Sequence, residues 1–438
     1  MYAEGAGAVE LSDVQVDARL GLAAFFSGLD RVSLERVELS GPVPEPSGAD
    51  FTDAVFIAVA PSAPEVVAMR SDAECGAAVA RQCATDERRE ASCPGCGTVE
   101  QYCDGCGQWV SVMATQGLTL VDVSDASLTD LDVGGFAQFG VVARGDGASV
   151  LTWSGGAIER NLGHGLYADG VAVTLQDVSV ERTYSGFRGS PGAGAYVVAM
   201  SGAGSIETHG LMLNDNRGYG MIQVGGASGL EVRHEGLMAA SNGAAALWSG
   251  RNARFELSGA MLRDNAAGGV VIVEAGAAEI TDTVVTGTQR RRLSVGADEL
   301  FGAVELGDGI QIFDSLSQVS LRNVTLEANE RVGLSLDLGA AGVDADICGS
   351  ARDGICFDNV VVRADPGGRG AIAGNMTAEV AGTPHVYSVQ PVGSGAWDVG
   401  IAREGAAVDD AGFASGLELA GVVGPLDTPV PAVVGPLD

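Results

Sequence analysis

The sequence predicts an all-β solenoid, in which a short repeat coils many times around one elongated core. One observation is a template with apolar residues at positions 0, 2, 5 and 7 and a turn former at position 4, which recurs along most of the 438 residues. A second is the composition, because 65 glycines and only 5% aromatic residues suit many short buried strands joined by tight turns.

The template can be placed at eleven rungs along the chain. Position 4 is Gly, Asn or Asp in ten of them, and these residues adopt a left-handed backbone more easily than others. The two-residue alternation on each side of this turn predicts two short strands per coil. The rungs begin at Val9, Val32, Val121, Leu151, Val173, Ile206, Val232, Phe255, Ala278, Val319 and Ile355.

A third strand per coil follows from position 10. In five rungs this position is Asn, and the residue four further on is Gly or Ala at the start of a short apolar run. An Asn here also occurs in leucine-rich repeats, but those repeats place Leu two residues later, where this chain has Gly, Ala or Arg. The five residues are Asn161, Asn216, Asn242, Asn265 and Asn329.

On these rungs, residues 8 to 373 resemble the right-handed parallel β-helix proteins of the pectate-lyase-like superfamily. The resemblance lies in the rung architecture and not in a catalytic motif. It implies a right-handed parallel β-helix of about eleven coils. It also implies that the chemistry to look for is that of polysaccharide lyases, hydrolases or epimerases.

The rhythm of the rungs divides the chain into four regions: first coils at 1–59, a Cys-rich insertion at 60–116, the main solenoid at 117–373, and a Gly-, Ala- and Pro-rich cap or tail at 374–438. The run AVFIAV at 54–59 is expected to be the last strand of the second coil. A second insertion, QRRRLSVGADELFGAVELGDG, interrupts the ninth coil. Its three consecutive arginines could bind an anion or form a solvated loop.

The eight cysteines can all pair, and disulfides are favoured because the insertion is Gly-rich and has little core of its own. Two C-x-x-C pairs, Cys93 with Cys96 and Cys103 with Cys106, also have the ligand spacing of a tetrahedral zinc site. A thiol-redox role is a further alternative, although no βαβ pattern surrounds the motif. The predicted disulfide set is Cys75, Cys83, Cys93, Cys96, Cys103, Cys106, Cys348 and Cys356.

Charge and hydropathy limit the classes of partner that the protein can bind. A net charge of −32 opposes binding to nucleic acids and to anionic lipid surfaces. No apolar run approaches the length of a membrane span, and the first residues lack the basic start and apolar stretch of a secretory signal. Because a rung begins almost at once, we expect the chain to be a fragment of a secreted or cell-surface protein.

The outward positions of the third strands form an apolar and aromatic stripe without an acidic residue. Such a stripe could stack on the apolar faces of sugar rings, with Tyr167, Tyr196, Trp248 and Gln311 as the predicted ligand contacts. The alternative is that a loop or the C-terminal tail covers it. The stripe comprises Val142, Tyr167, Tyr196 (or Arg188), Ile222, Trp248, Val271, Gln311 and Ser335.

Candidates for catalysis are weak. The segment NLGHGLY contains Gly163-His164-Gly165, which is similar to a short motif of polygalacturonases, but the paired aspartates and the Arg-Ile-Lys element of that family are not found. His164 is otherwise a turn residue. The further candidates are Arg188 and Asp308, with Glu299 and Glu305 as possible members of a cleft and Asp215 and Asp264 as possible Ca²⁺ ligands.

The leading hypothesis is therefore a binding or structural module without a resident cofactor, for which polysaccharide is the expected ligand. The alternative is a polysaccharide lyase or a uronate epimerase on the same fold.

Overall fold

The computed structural model describes residues 1–18, 21–41, 88–93, 97–103, 109–111, 114–184, 192–274, 276–289, 291–293, 304–313, 319–330, 332–342, 355–363, 372–380, 383–390, 400–403, 406–407 and 417–420. Within these residues the regular elements are β-strands, and there is no helix. No helix long and apolar enough to cross a membrane is found in this part of the chain.

The strands of the N-terminal half, in chain order, are β1 Tyr2–Glu4, β2 Ala8–Asp17, β3 Gly21–Ser27, β4 Arg31–Ser40, β5 Arg88–Cys93, β6 Gly97–Cys103, β7 Trp109–Ser111, β8 Ala114–Val121, β9 Asp125–Gly134, β10 Phe139–Glu159, β11 His164–Gln176, β12 Ser179–Glu181, β13 Ala193–Val198, β14 Gly204–His209, β15 Met212–Asn214 and β16 Tyr219–Val224. Those of the C-terminal half are β17 Leu230–Glu235, β18 Met238–Ala240, β19 Leu247–Gly250, β20 Ala253–Ser258, β21 Met261–Arg263, β22 Ala267–Val273, β23 Ala277–Thr281, β24 Val284–Thr286, β25 Arg291–Leu293, β26 Val304–Phe313, β27 Val319–Glu327, β28 Val332–Gly342, β29 Ile355–Arg363, β30 Ile372–Val380, β31 Thr383–Gln390, β32 Gly400–Arg403, β33 Ala406–Ala407 and β34 Leu417–Ala420.

The predicted solenoid is confirmed. The central coils contribute three strands each, and these strands pair in parallel with their counterparts one coil later, as β17, β18 and β19 do with β20, β21 and β22. In the first coils the first two strands of a coil are continuous, as in β2, β4 and β9. The described strands thereby form a parallel β-solenoid of about nine turns. The number of eleven coils and the right-handed sense stay predictions, because several connections between strands lie outside the described residues.

The predicted rungs are in register along one ladder, with one correction. Val9 pairs with Val32, Phe255 with Ala278, and Val319 with Ile355. The third rung, however, begins at Ala126 and not at Val121, since Ala126 is the partner of both Val32 and Leu151. The sequence VDVSDASL offers two overlapping alternations, and only the pairing with the neighbouring coils selects the second.

The coils from the rung at Ala126 to the rung at Val319 turn at two left-handed corners, of which the sequence pattern predicted one. At position 4 the residues have φ values between 49° and 70°, as at Asp177, Gly210 and Asp282, and the corrected rung places Asp130 there with φ 48°. The second corner is position 9, occupied among others by Arg160 (φ 58°) and Asp264 (φ 55°). The sequence pattern did not predict this corner, because Arg, Ser and Ala also occupy position 9, and these residues do not indicate a left-handed turn.

Position 10 carries a buried asparagine ladder. Asn216 donates from Nδ2 to Asn242 Oδ1 (3.0 Å), and Asn242 donates to Asn265 Oδ1 (2.8 Å). The Oδ1 atoms also accept from backbone N–H groups one coil back, as Asn216 Oδ1 does from Thr183 N (3.1 Å). The side chains thus satisfy backbone groups at a corner that has no strand partner.

Glycines stand opposite this ladder for a steric reason. A Cβ atom on Gly140 would lie 2.7 Å from Asn161 Nδ2, and one on Gly194 would lie 2.8 Å from Asn216 Nδ2. The repeated Asn and Gly are therefore one structural unit, in which the Asn side chain occupies the space that a side chain on the preceding coil would need.

The interior is a stack of Val, Leu, Ile and Ala side chains with one polar interruption. His234 is fully buried at position 2 of its rung, where Nδ1 lies 2.8 Å from Thr208 Oγ1 and Nε2 lies 2.5 Å from Gln223 Nε2. His209 lies at the solvent side, within 3.3 Å of Glu207 and 3.1 Å of Glu235. Neither histidine faces the third-strand stripe.

Both insertions contain short antiparallel strands beside the solenoid. Strand β8 closes the second coil, paired with β3 and β10, and the run predicted as a strand at 54–59 lies outside the described residues. Strands β5 to β7 form an antiparallel sheet within the Cys-rich insertion. In the second insertion, β25 pairs antiparallel with β26.

Beyond the main rungs, β30 to β33 form an antiparallel meander, and β34 returns to pair in parallel with β29. The chain after 373 therefore contributes a strand to the ladder of the solenoid.

Candidate functional site

The predicted stripe is a true column of the structure. Tyr167 pairs with Val142 on one side and with Tyr196 on the other. The same ladder then joins Tyr196 to Ile222, Ile222 to Trp248, Trp248 to Val271, Val271 to Gln311 and Gln311 to Ser335. Parallel pairing stacks equal positions of successive coils, so the rung template was sufficient to predict the column.

The column lies on the outer face of the third-strand sheet. Met221 and Leu247 belong to the main core, whereas Ile222 and Trp248, their neighbours in the chain, belong to a separate apolar cluster. Since successive side chains of a strand point to opposite faces, the second cluster lies outside the sheet. Tyr167 and Tyr196 pack against it.

Burial divides the column into two parts. Trp248 is 2% exposed and Gln311 is 0% exposed, so these two predicted ligand contacts are closed off from a ligand at the surface. Gln311 instead donates from Nε2 to the carbonyl of Ala267 (3.2 Å). The other two predicted contacts, Tyr167 and Tyr196, are half-buried and keep part of their rings accessible.

Four half-buried rings form what we call the aromatic patch: Phe139, His164, Tyr167 and Tyr196. His164 stacks between Phe139 (centroids 5.7 Å apart) and Tyr196 (5.2 Å). Tyr167 is tilted against the same two rings, at 5.7 Å from Phe139 and 5.8 Å from Tyr196. The patch therefore spans three successive coils through β10, β11 and β13.

Phe139 is the member that the sequence reading missed. It stands thirteen residues after Ala126, just as His164 stands thirteen residues after Leu151, and the two are register partners. With the third rung placed at Val121 this equivalence was hidden. The correct register would have revealed it.

Polar groups border the patch at Tyr167. The guanidinium carbon of Arg144 lies 5.2 Å from the centre of the Tyr167 ring, and Arg144 is the register partner of Asp169. Asp169 is buried and accepts hydrogen bonds from Met200 N (3.0 Å), Ser201 N (3.0 Å) and Ser201 Oγ (2.6 Å). This arrangement fixes the rim of the patch without adding a free carboxylate to it.

The titratable groups of the patch are neutral at physiological pH. Burial lowers the pKa of His164 to about 4, and Nδ1 of the ring accepts a hydrogen bond from the backbone N–H of Ala193 (3.1 Å). Burial also raises the pKa of Tyr167 above its ordinary value, with the charge of Asp169 adding to the rise. The accessible rings are thus uncharged, and Arg144 and Asp169 are the charged residues beside Tyr167.

The catalytic candidates do not converge on this patch. His164 and Asp308 share one column but stand five coils apart, about 24 Å at the spacing of parallel strands. Asp308 is also fully buried. Of the remaining candidates, Arg188 and Glu299 lie outside the described residues, and Glu305 is described only as part of β26.

The predicted calcium ligands are corner residues. Asp215 (φ 54°) and Asp264 (φ 55°) both occupy position 9, and Ser241 stands between them on the intervening coil. Among the residues whose side chains are described, no group of three or more His, Cys, Asp or Glu residues could hold a metal ion.

The pairing of the cysteines stays a prediction. Cys93 and Cys103 lie at the ends of β5 and β6, and Cys356 lies in β29. The other five cysteines, including Cys96 and Cys106 of the alternative zinc set, lie outside the described residues.

No protein-family model matches the sequence, and no curated protein is significantly similar to it.

Proposed function

We propose that this protein is a secreted or cell-surface β-solenoid module that binds polysaccharide through the aromatic patch. The observation that carries the proposal is the packing of four half-buried, uncharged rings on three successive coils, with Tyr167 and Tyr196 accessible at its centre. Pyranose rings have apolar C–H faces that stack on aromatic side chains, while the hydroxyl groups at their edges remain in water.

The polar rim suits the same ligand class. Arg144 beside Tyr167 can donate to sugar hydroxyls or to the carboxylate of a uronate, since a guanidinium presents several N–H groups in one plane. The cysteine content and the acidic composition are in keeping with an extracellular environment.

The test is affinity electrophoresis and array binding on neutral and uronate polysaccharides, with Tyr167→Ala, Tyr196→Ala and the double variant. We expect the single variants to weaken binding by about tenfold each, since stacking on one aromatic ring is worth about 0.5–1.5 kcal/mol beyond the area that it buries, and about 1.4 kcal/mol corresponds to a factor of ten. The matched control is Tyr2→Ala, because Tyr2 is also a surface tyrosine (60% exposed) stacked on another ring, Phe25, but lies outside the patch.

Two outcomes would overturn the proposal. One is a folded double variant, with the circular dichroism spectrum and the unfolding midpoint of the wild type, that binds as tightly as the wild type. The other is turnover: uronate polymers incubated with the protein and Ca²⁺ are followed by ultraviolet absorbance for unsaturated products and by NMR for epimerised residues. Product in either assay would replace the binding module by the lyase or epimerase alternative.

A further inference from the structure

Three methionines stack on the outer face of a different sheet, formed by the second strands of the coils. Met212, Met238 and Met261 are register partners on β15, β18 and β21. Met238 is 47% exposed, Met261 is 50% exposed, and Met212 is half-buried. We call these three residues the methionine column.

The side chains of the column point away from the core. Their chain neighbours Leu213, Ala239 and Leu262 are buried in the main apolar cluster, so strand alternation directs the methionines outward. Earlier coils carry Glu38, Asp132, Ala157 and Ser179 at the equivalent position. The next three coils carry methionine there, although the position faces away from the core.

One flank of the column is open. Two residues before each methionine, the corner of the coil is formed by Gly210, Gly236 and Gly259, with φ values of 64°, 65° and 62°. A Cβ atom on Gly236 or Gly259 would meet nothing closer than 3.8 Å. The surface next to Met238 and Met261 is therefore open to an ion, whereas at the corner before Met212 the Oδ1 atom of Asp177 lies 2.6 Å from where a Cβ atom on Gly210 would stand.

We propose that the methionine column binds a soft monovalent cation, Cu⁺ or Ag⁺, through its thioether sulfurs. Thioethers are soft ligands that select Cu⁺ over the hard ions Ca²⁺ and Mg²⁺, which take oxygen ligands. Successive coils are about 4.8 Å apart. That spacing is close to the separation of about 4 Å between two sulfurs that share one ion at metal–sulfur distances of about 2.3 Å.

Met238 is the central ligand of this site, with Met212 and Met261 one coil away on either side. The flexible, unbranched methionine side chain allows the outer sulfurs to lean toward the centre without a change in the backbone. The net negative charge of the chain raises the local concentration of cations. The site is independent of the aromatic patch, which lies on the third-strand sheet.

The test uses the full chain with its thiols blocked by N-ethylmaleimide, because free cysteines would compete for the ion. Protein labelled with ¹³C at the methionine methyl groups is titrated with Ag⁺ and followed by NMR. We expect the three methyl signals of the column to shift together and to saturate at one ion per chain. Met200, which is 65% exposed and stands outside the column, serves as the internal control and should shift only at higher concentration.

Competition with a chromogenic Cu⁺ chelator under anaerobic conditions gives the affinity. Met238→Leu, which preserves the shape of the side chain, should weaken binding by about tenfold or more, whereas Met200→Leu should leave it unchanged. The proposal is wrong if Met200 and Met238 respond at the same Ag⁺ concentration, or if Met238→Leu binds Cu⁺ as tightly as the wild type.

Discussion

Acid should destabilise this protein through one histidine in the solenoid core. His234 is fully buried, and its Nε2 lies 2.5 Å from the amide nitrogen of Gln223, which can only donate. The other ring nitrogen, Nδ1, lies 2.8 Å from Thr208 Oγ1, so both ring nitrogens contact uncharged polar groups. Burial in the apolar core favours the neutral imidazole.

The size of the effect follows from the pKa. Burial lowers the pKa of His234 from 6.5 to about 3. Between these values the unfolded chain binds a proton that the folded chain does not, so the contribution is fully present above pH 6.5 and is lost as the pH falls toward 3. At pH 4 the loss is roughly 3 kcal/mol, since each pKa unit corresponds to about 1.4 kcal/mol.

The assay is urea unfolding of the wild type and of His234→Gln at pH 7, 5 and 4. Glutamine keeps a neutral donor and acceptor but cannot titrate, so the difference in unfolding free energy between the two proteins should shift by roughly 3 kcal/mol from pH 7 to pH 4 in favour of the variant. His209→Gln is the control, because the His209 side chain is 41% exposed. Equal pH dependence of the wild type and His234→Gln would refute the reasoning.

Three further predictions concern the corners and the outer cluster. Asn242→Ala removes the donor to Leu213 O (2.8 Å) and the acceptor of Asn216 N (3.2 Å), so the unfolding free energy measured in urea should fall by roughly 2–5 kcal/mol. The control is Asn329→Ala, which should cost about 1 kcal/mol, because Asn329 Oδ1 accepts from Thr288 N (3.2 Å). Equal losses in the two variants would contradict the role of the asparagine ladder. Gly220→Ala should lower the unfolding midpoint and speed amide exchange at this corner, because the new Cβ would lie 2.5 Å from the carbonyl oxygen of Ala246; an unchanged midpoint would contradict this. Trp248→Ala should lower the unfolding free energy by about 3–5 kcal/mol, because Trp248 is buried, and should leave ligand binding at the aromatic patch unchanged. A loss of binding without a loss of stability would show that Trp248 contacts the ligand.

The sequence by itself determined the coil and the columns. Parallel pairing places equal positions of successive coils beside each other, so the period of the rungs fixed both the inward stack and the outward column from Val142 to Ser335. The recurring Asn at position 10 and the Gly four residues later could also be recognised from the sequence alone. Their physical reason, a side chain that fills the space beside a glycine, became visible only with the coordinates.

The tertiary structure decided which part of the outer column a ligand can reach. Trp248 and Tyr167 occupy the same position of their coils, yet one is closed off and the other is half-buried. It also decided the third rung, where two alternations compete and the partner strands select Ala126. Register is a local, periodic property that a repeat encodes, whereas the accessibility of an outer face depends on which distant segments pack against it, and no periodicity specifies that.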